Sequence, residues 1–166
     1  MVRPLILVTM GTNDYPFDRL YSSIQKDPLY DDDRCEWFIQ YGNIENVRQP
    51  KFGIAESLVS RVEMEEMVRR SALVISHCGI GSLNLMLKYR KRTIFMPRVA
   101  VHSEFSDDHQ LQIAGEIENR RISVVFPGDE FPSLDYDQLV LDNVMSEPVD
   151  ITNYELAKII KQKLTA

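Results

Sequence analysis

The sequence lacks the features that mark several protein classes. With only two cysteines, Cys35 and Cys78, in 166 residues, it has no disulfide framework, and a reducing compartment such as the cytoplasm is expected. It contains no run of about 18 apolar residues, so no membrane-spanning segment is expected. The apolar stretch near the N-terminus is too short for a signal peptide and is predicted to be a strand. The chain has no internal repeat and no low-complexity segment.

Positive charge is also scarce. The chain has 19 Lys and Arg residues against 25 Asp and Glu residues, which gives a net charge of −6. This argues against a broad electrostatic surface for nucleic acid, and no nucleic acid partner is expected. An anionic ligand must therefore be held by local backbone donors rather than by the overall field. The length fits a single domain over residues 1–166 that buries its core without disulfides or metal.

Apolar strand-like runs alternate with helical patterns along the chain. The predicted strands are Pro4–Met10, Cys35–Tyr41, Phe52–Val59, Leu73–Ile75, Thr93–Met96 and Ile122–Phe126. Four predicted helices have approximate ranges, which are Phe17–Lys26, Met64–Val68, Tyr136–Met145 and Tyr154–Leu164. Two more are predicted by their starts: one begins near Ser82, and one follows an N-cap at Ser106. This alternation predicts an α/β fold, a Rossmann-like parallel sheet with helices on both faces, and a helical tail over about residues 150–166.

The most informative stretch connects the strand Leu73–Ile75 to the helix near Ser82. Its glycines, Gly79 and Gly81, allow backbone N–H groups to approach a ligand closely. The start of the following helix adds partial positive charge and unpaired N–H donors, so the pattern is typical of a phosphate site. His77 and Ser82 can both donate to a phosphate oxygen. A plain tight turn, with Ser82 serving only as an N-cap, is the alternative.

Three loops follow predicted strands and are expected to meet at one edge of the sheet. They are Gly11-Thr12, His77–Ser82 and Arg98–Gln110. The third loop ends in Asp107-Asp108-His109-Gln110, whose carboxylate, imidazole and amide groups suit the recognition of sugar hydroxyls. A solvated helix start is the alternative for this last segment.

Three other chemistries are less well supported by the residues. The dinucleotide fingerprint needs a third glycine where this chain has Asn84, which disfavours an NAD(P)-dependent oxidoreductase. Cys78 with His109 as its base is a candidate nucleophile, but no acidic residue is placed to orient the pair. The three histidines and the two aspartates beside His109 are candidate metal ligands. Their spacing matches no zinc pattern, so no metal is expected.

Three ordered motifs resemble a known family. They are Val8-Thr9-Met10-Gly11-Thr12 with Pro16-Phe17-Asp18-Arg19-Leu20, Ile75-Ser76-His77-Cys78-Gly79-Ile80-Gly81-Ser82, and Asp107-Asp108-His109-Gln110 with Ile113-Ala114. Over roughly residues 5–127 the chain resembles the C-terminal domain of family 28 glycosyltransferases. Within that family it is most similar to stand-alone subunits of the PssE and CpsG type, which belong to bacterial exopolysaccharide and capsule synthesis.

The resemblance implies one half of a GT-B fold that binds a UDP-sugar. A separate membrane-anchored subunit of the PssD or CpsF type would bind a lipid-linked glycan acceptor and recruit this chain to the cytoplasmic face of the membrane. The implied reaction is inverting and metal-independent, with an acceptor hydroxyl displacing UDP from C1 of the sugar. No cofactor is implied, and the general base is expected to come from the partner.

The resemblance also implies which residues bind the donor. The first motif is expected to line the cleft, the second to meet the diphosphate and the third to face the donor sugar. The expected substrate-binding residues are Gly11, Thr12, Ser76, His77, Gly79, Gly81, Ser82, Asp108, His109 and Gln110.

Two departures from the family pattern are present: Arg90-Lys91-Arg92 replaces the usual Gly-Lys-Pro before the next strand, and the other concerns the donor site. Three residues after Ser82, such domains often carry an acidic side chain for the ribose hydroxyls, and here the residue is Leu85. It lies one turn along on the same helix face. This departure motivates a second hypothesis, a non-catalytic nucleotide-binding or regulatory module that has lost turnover.

Overall fold

The computed structural model describes residues 2–118 and 122–144. In these ranges the strands are β1 Leu5–Thr9, β2 Glu36–Gln40, β3 Gly53–Glu56, β4 Leu73–His77, β5 Thr93–Met96 and β6 Ile122–Val124. The α-helices are α1 Asp18–Gln25, α2 Arg61–Arg70, α3 Ile80–Lys88, α4 His109–Ile117 and α5 Tyr136–Val144, with a 3-10 helix at Ala100–His102. None of these helices combines the length and the apolar character that crossing a bilayer requires. The predicted tail and its helix Tyr154–Leu164 lie outside the described residues.

The six described strands form one parallel sheet in the order β3-β2-β1-β4-β5-β6. At its centre, Val8 of β1 is level with Ile39 of β2 and Ile75 of β4. The chain adds strands on one side of β1 and then crosses over to add strands on the other side. The loops after β1 and β4 therefore part at this point, which opens the crevice where such sheets bind ligands. The predicted Rossmann-like parallel sheet is confirmed.

Side chains of the central strands alternate between two apolar cores, as the geometry of a strand requires. One core contains Ile6 and Val8 and is covered by α1 and α5. The other contains Leu7 and Val74 and is covered by α2, α3 and α4. Because both faces are covered, β1 and most of β4 are buried, with only His77 half-buried at the end of β4. This explains why both strands are continuous apolar runs in the sequence.

Helix α4 begins later than predicted. Its first residue is His109, with Asp108 as N-cap, so the predicted N-cap at Ser106 is wrong. Both aspartates precede the helix because their side chains close the preceding turn. Asp107 Oδ1 accepts from the His109 N–H at 3.0 Å, and Asp108 Oδ1 accepts from the Ala100 N–H at 2.9 Å.

The two edge strands are shorter than predicted. β3 ends at Glu56 rather than Val59, and β6 ends at Val124 rather than Phe126. Among the described strands each has a neighbour on one side only, so the extent of pairing with that neighbour sets its length. Leu58, which suggested the longer β3, is 60% exposed and lies beyond the end of the strand.

Candidate functional site

A cleft opens at the carboxyl edge of the sheet, where the loops after β1 and β4 part. Its volume is about 690 Å³, and it extends from the ends of β1, β2 and β4 into the space between α2 and α3. Near the sheet it is lined by Gly11, Thr12, Gln40, His77 and Ser82. The cleft therefore brings together the first two of the three loops that the sequence places at this edge.

The N-terminus of α3 faces this cleft. The helix begins at Ile80, earlier than the predicted start near Ser82, because Gly79 is an extended N-cap with φ −92° and ψ 147°. Gly79 has no side chain to cap the first-turn N–H groups, and Gly81 and Ser82 line the cleft. The first turn of α2, in contrast, is closed by a complete capping box. Open N–H groups at the positive end of a helix are the features of an anion site.

His77 ends β4 and lies beside the first loop. Its Nδ1 atom is 3.3 Å from the carbonyl oxygen of Thr9. Because that oxygen can only accept, Nδ1 carries the ring proton and Nε2 carries the lone pair. Burial and the positive charge of Arg98 lower the pKa of His77 to about 4, so the ring is neutral at pH 7. To donate to a phosphate, the ring must therefore gain a proton or change tautomer.

Two glycines enclose the His77 ring. A β-carbon at Gly79 would lie 2.5 Å from His77 Nε2, and one at Gly11 would lie 3.0 Å from the same atom. Gly11 also has a φ of +83°, a left-handed conformation that favours glycine. Gly81 differs, because a β-carbon there would meet nothing within 4 Å. Gly11 and Gly79 thus make room for the ring, whereas Gly81 leaves open space in the cleft.

Gln40 is a site residue that the sequence analysis missed. It ends β2, is only 2% exposed, and its amide binds the loop after β1. Thr9 Oγ1 donates to Gln40 Oε1 at 2.9 Å, and Gln40 Nε2 donates to the carbonyl oxygens of Gly11 and Ser57 at 2.9 and 2.8 Å. The available signal was a glutamine at the carboxyl end of a strand, directly after the apolar run Trp37-Phe38-Ile39.

Arg98 is a second residue whose role the sequence analysis missed. It is 1% exposed, and its guanidinium donates to the carbonyl oxygens of Met10, Tyr15, Pro16 and Glu104. Burial lowers its pKa to about 10, so it stays charged at neutral pH. The side chain ties the loop after β1 to the loop after β5. Nothing in the sequence signals that an arginine in a predicted loop is buried.

Gln110 connects the third motif to the glycine turn. Its Oε1 atom accepts from the backbone N–H groups of Cys78 and Arg98, both at 3.0 Å, and the residue is 6% exposed. Asp108 and His109 are exposed and do not line the cleft. The loop after β5 is thus held against the glycine turn, while direct contact of these three side chains with a sugar stays a prediction.

The structure places some of the predicted site residues in the cleft and others outside it. The cleft is lined by five of the ten: Gly11, Thr12, His77, Gly81 and Ser82. Gly79 precedes α3 at the edge of the cleft, and Ser76 is fully buried, with its hydroxyl donating to the His77 carbonyl oxygen at 2.9 Å. Leu85 lines the cleft on α3, as its spacing from Ser82 predicts.

The structure bears on two of the alternative chemistries. Cys78 is fully buried, and burial raises the pKa of its thiol to about 12, which leaves no reactive thiolate at neutral pH. Within residues 2–118 and 122–144, no three His, Cys, Asp or Glu residues come together in an arrangement that holds a metal ion.

Comparison with known proteins identifies the family. Residues 5–154 match the model of the glycosyltransferase family 28 C-terminal domain, which is most of the chain. The chain belongs to this family. No sequence among the curated proteins matches it.

Solved structures of glycosyltransferases share the fold. The glycotransferase of kitacinnamycin aligns with a TM-score of 0.54 and 12% identity, over 98% of this chain and 39% of that one. The glycosyltransferase SnogD from Streptomyces nogalater aligns with a TM-score of 0.50 and 17% identity, over 98% of this chain and 40% of that one. At these identities the similarity concerns the fold alone, which is that of the C-terminal domain of a GT-B glycosyltransferase. This chain spans about 40% of the length of SnogD.

Proposed function

We propose that this chain is the donor-binding subunit of an inverting, metal-independent UDP-sugar glycosyltransferase that acts in exopolysaccharide or capsule synthesis. The observation that carries the proposal is the open N-terminus of α3 beside Gly81 and Ser82, in a cleft at the point where the strand order reverses. A helix start without a side-chain cap offers N–H donors and positive potential to a diphosphate. Membership of the family 28 C-terminal domain supports the same assignment.

The geometry suggests how the chain promotes transfer. An acceptor hydroxyl attacks C1 of the sugar from the face opposite UDP, and the bond between C1 and the β-phosphate oxygen breaks. Negative charge grows on the departing diphosphate, and the fixed N–H groups of α3 stabilise it without reorganising. The proton of the acceptor hydroxyl passes to a general base, which we assign to the acceptor-binding subunit.

The nucleoside of the donor is assigned to the part of the cleft between α2 and α3. Val59, Met64 and Leu85 line it and offer apolar surface to a base. The diphosphate then lies at the start of α3, and the donor sugar extends toward Thr12 and the loop after β5. This order follows the chemical order of a UDP-sugar from base to sugar.

A second subunit is part of the proposal because the residues that the structure describes form only one wall of the cleft. Water would reach a donor bound to that wall alone, and an acceptor needs a second surface to bind. We assign the other wall to a membrane-anchored subunit that binds a lipid-linked glycan and recruits this chain to the cytoplasmic face of the membrane. Tyr15 in the loop after β1 is 37% exposed, and Val101 in the 3-10 helix after β5 is 84% exposed; both lie at the same edge as the cleft. They are suited to an interface of about 800 Å² per partner.

The test is calorimetry of the chain with UDP, UDP-sugars and NADH, followed by an activity assay. UDP is expected to bind, Ser82→Ala is expected to weaken binding, and Ser22→Ala on the exposed side of α1 is the matched control. Turnover of a UDP-sugar and a lipid-linked acceptor is expected only when the membrane-anchored subunit is co-expressed. Absence of UDP binding, or binding of NADH alone, contradicts the proposal.

A second function is favoured by one observation. Leu85 lines the cleft at the position where related domains often carry an acidic residue for the ribose. A non-catalytic nucleotide-binding or regulatory module would bind UDP and show no turnover with the co-expressed subunit. The activity assay therefore separates the two functions.

A further inference from the structure

The deep part of the cleft is formed by matching stripes of α2 and α3. One face of α2 carries Arg61, Met64 and Glu65, which are spaced three and four residues apart. The facing side of α3 carries Leu85 and Lys88, which are three residues apart. Among the described residues that line the cleft, Glu65 is the single carboxylate. It lies across the groove from Leu85, on the neighbouring helix.

The carboxylate of Glu65 is held in place from the opposite helix. Its Oε1 atom accepts hydrogen bonds from Lys88 Nζ and from Tyr89 Oη. These contacts keep the pKa of Glu65 below its ordinary value, so the group is ionised at neutral pH. Its Oε2 atom has no hydrogen-bond partner among the residues that the structure describes, and the side chain is 29% exposed. One oxygen is thus fixed, and the other is available to a ligand.

Hydroxyl groups of a ribose match this available oxygen. An ionised carboxylate only accepts hydrogen bonds, and a vicinal diol supplies two donors, so the pair is charge-assisted. The position of Glu65 relative to α3 also fits. Its partner Lys88 lies six residues beyond Ser82, which is about 9 Å along the helix axis. A nucleotide with its diphosphate at Ser82 places its ribose further along the groove, toward Leu85 and Glu65.

We infer that Glu65 on α2 binds the ribose hydroxyls of the donor nucleotide, in place of the acidic residue that α3 lacks at Leu85. This inference rests on the proposed function and adds a specificity to it. The cleft then selects nucleoside diphosphates that carry a ribose diol over those that lack it. The competing explanation is a surface ion pair of Glu65 with Lys88 that makes no contact with ligand, and such pairs contribute little.

The test compares UDP with 2′,3′-dideoxy-UDP by calorimetry on the full chain. Wild type is expected to bind UDP on the order of tenfold more tightly, since hydrogen bonds to a charged group have this strength. Glu65→Gln is expected to weaken the binding of UDP by about that factor and to leave the binding of 2′,3′-dideoxy-UDP nearly unchanged. Glu66→Gln is the matched control, because it removes the same charge from an exposed residue of α2 that does not line the cleft.

The outcomes separate the two proposals. If UDP does not bind wild type, both the proposed function and this inference fail. If UDP binds but wild type does not prefer it over the dideoxy analogue, or if Glu65→Gln keeps the preference, only the inference is overturned. Retained binding of the dideoxy analogue by Glu65→Gln shows that the variant is folded and the rest of the cleft intact.

Discussion

The side-chain amide of Gln40 binds both backbone polar groups of Gly11. Gln40 Oε1 accepts from the Gly11 N–H at 3.2 Å, and Gln40 Nε2 donates to the Gly11 carbonyl oxygen at 2.9 Å. The same amide also binds Thr9 and Ser57, so one side chain from β2 fixes the loop after β1 against the loop after β3. This wall of the cleft is thereby set before any ligand arrives, which lowers the ordering cost of binding.

Replacing Gln40 should therefore affect stability and binding together. Gln40→Ala leaves buried N–H and carbonyl groups unpaired and should lower the free energy of unfolding by about 2–3 kcal/mol. It should also weaken UDP binding, because the Gly11 loop loses its support. Denaturant unfolding and calorimetry measure the two effects.

Gln49 offers a matched control for that variant. Its amide also makes two backbone hydrogen bonds, both to Ala55 on the edge strand β3. It does not line the cleft. Gln49→Ala should lose stability and keep UDP binding, and a comparable loss of UDP affinity in both variants would contradict the assigned role of Gln40.

The glycines of the turn before α3 should respond differently to alanine. At Gly81 a β-carbon meets nothing within 4 Å, so Gly81→Ala should leave stability unchanged within about 0.5 kcal/mol. It should nevertheless weaken UDP binding on the order of tenfold, because the added methyl group blocks the approach of the diphosphate to the helix N-terminus. At Gly79 the β-carbon would lie 2.5 Å from the His77 ring, and Gly79→Ala should cost about 1–3 kcal/mol of stability.

Gly115 of α4 is the control for these variants. It is exposed, does not line the cleft, and has open space around it. Gly115→Ala should match or exceed wild type in stability and bind UDP normally. Thermal unfolding and calorimetry compare the set, and normal UDP binding by Gly81→Ala would argue against a diphosphate at the start of α3.

His77 should make stability depend on pH in a defined window. The pKa is 6.5 in the unfolded chain and about 4 in the folded protein. Between these values the unfolded state binds more protons, so the free energy of unfolding falls as pH falls from 6.5 toward 4. The loss attributable to His77 should be about 3 kcal/mol once the pH has fallen to the folded pKa, and it should be small above pH 6.5.

The measurement is denaturant unfolding of wild type and His77→Gln at several pH values between 4 and 7.5. Carboxylates that titrate in the same range contribute equally to both proteins, so the difference in slope isolates the histidine. Parallel curves for the two proteins would show that the folded protein does not keep the His77 ring neutral.

Local sequence was sufficient to predict the parallel sheet and the glycine turn. β1 and β4 are covered on both faces, so they had to be continuous apolar runs, and such runs are visible without a structure. The residues Gly79 and Gly81 marked the turn in the sequence, and in the structure Gly79 makes room for the His77 ring while Gly81 leaves open space in the cleft. Boundaries were less accurate where a side chain closes a turn, as Asp108 does before α4.

The arrangement of the cleft was decided by tertiary structure alone. Gln40 reaches Gly11 across 29 positions of the chain and Arg98 reaches Met10 across 88, and no local pattern encodes a contact over such separations. Glu65 lies in the cleft only because α2 and α3 pack side by side at the point where the strand order reverses. The sequence by itself therefore determined the order of the elements and the glycine turn before α3. The packing of those elements decided which polar side chains surround it, since that depends on distances between residues far apart in the chain.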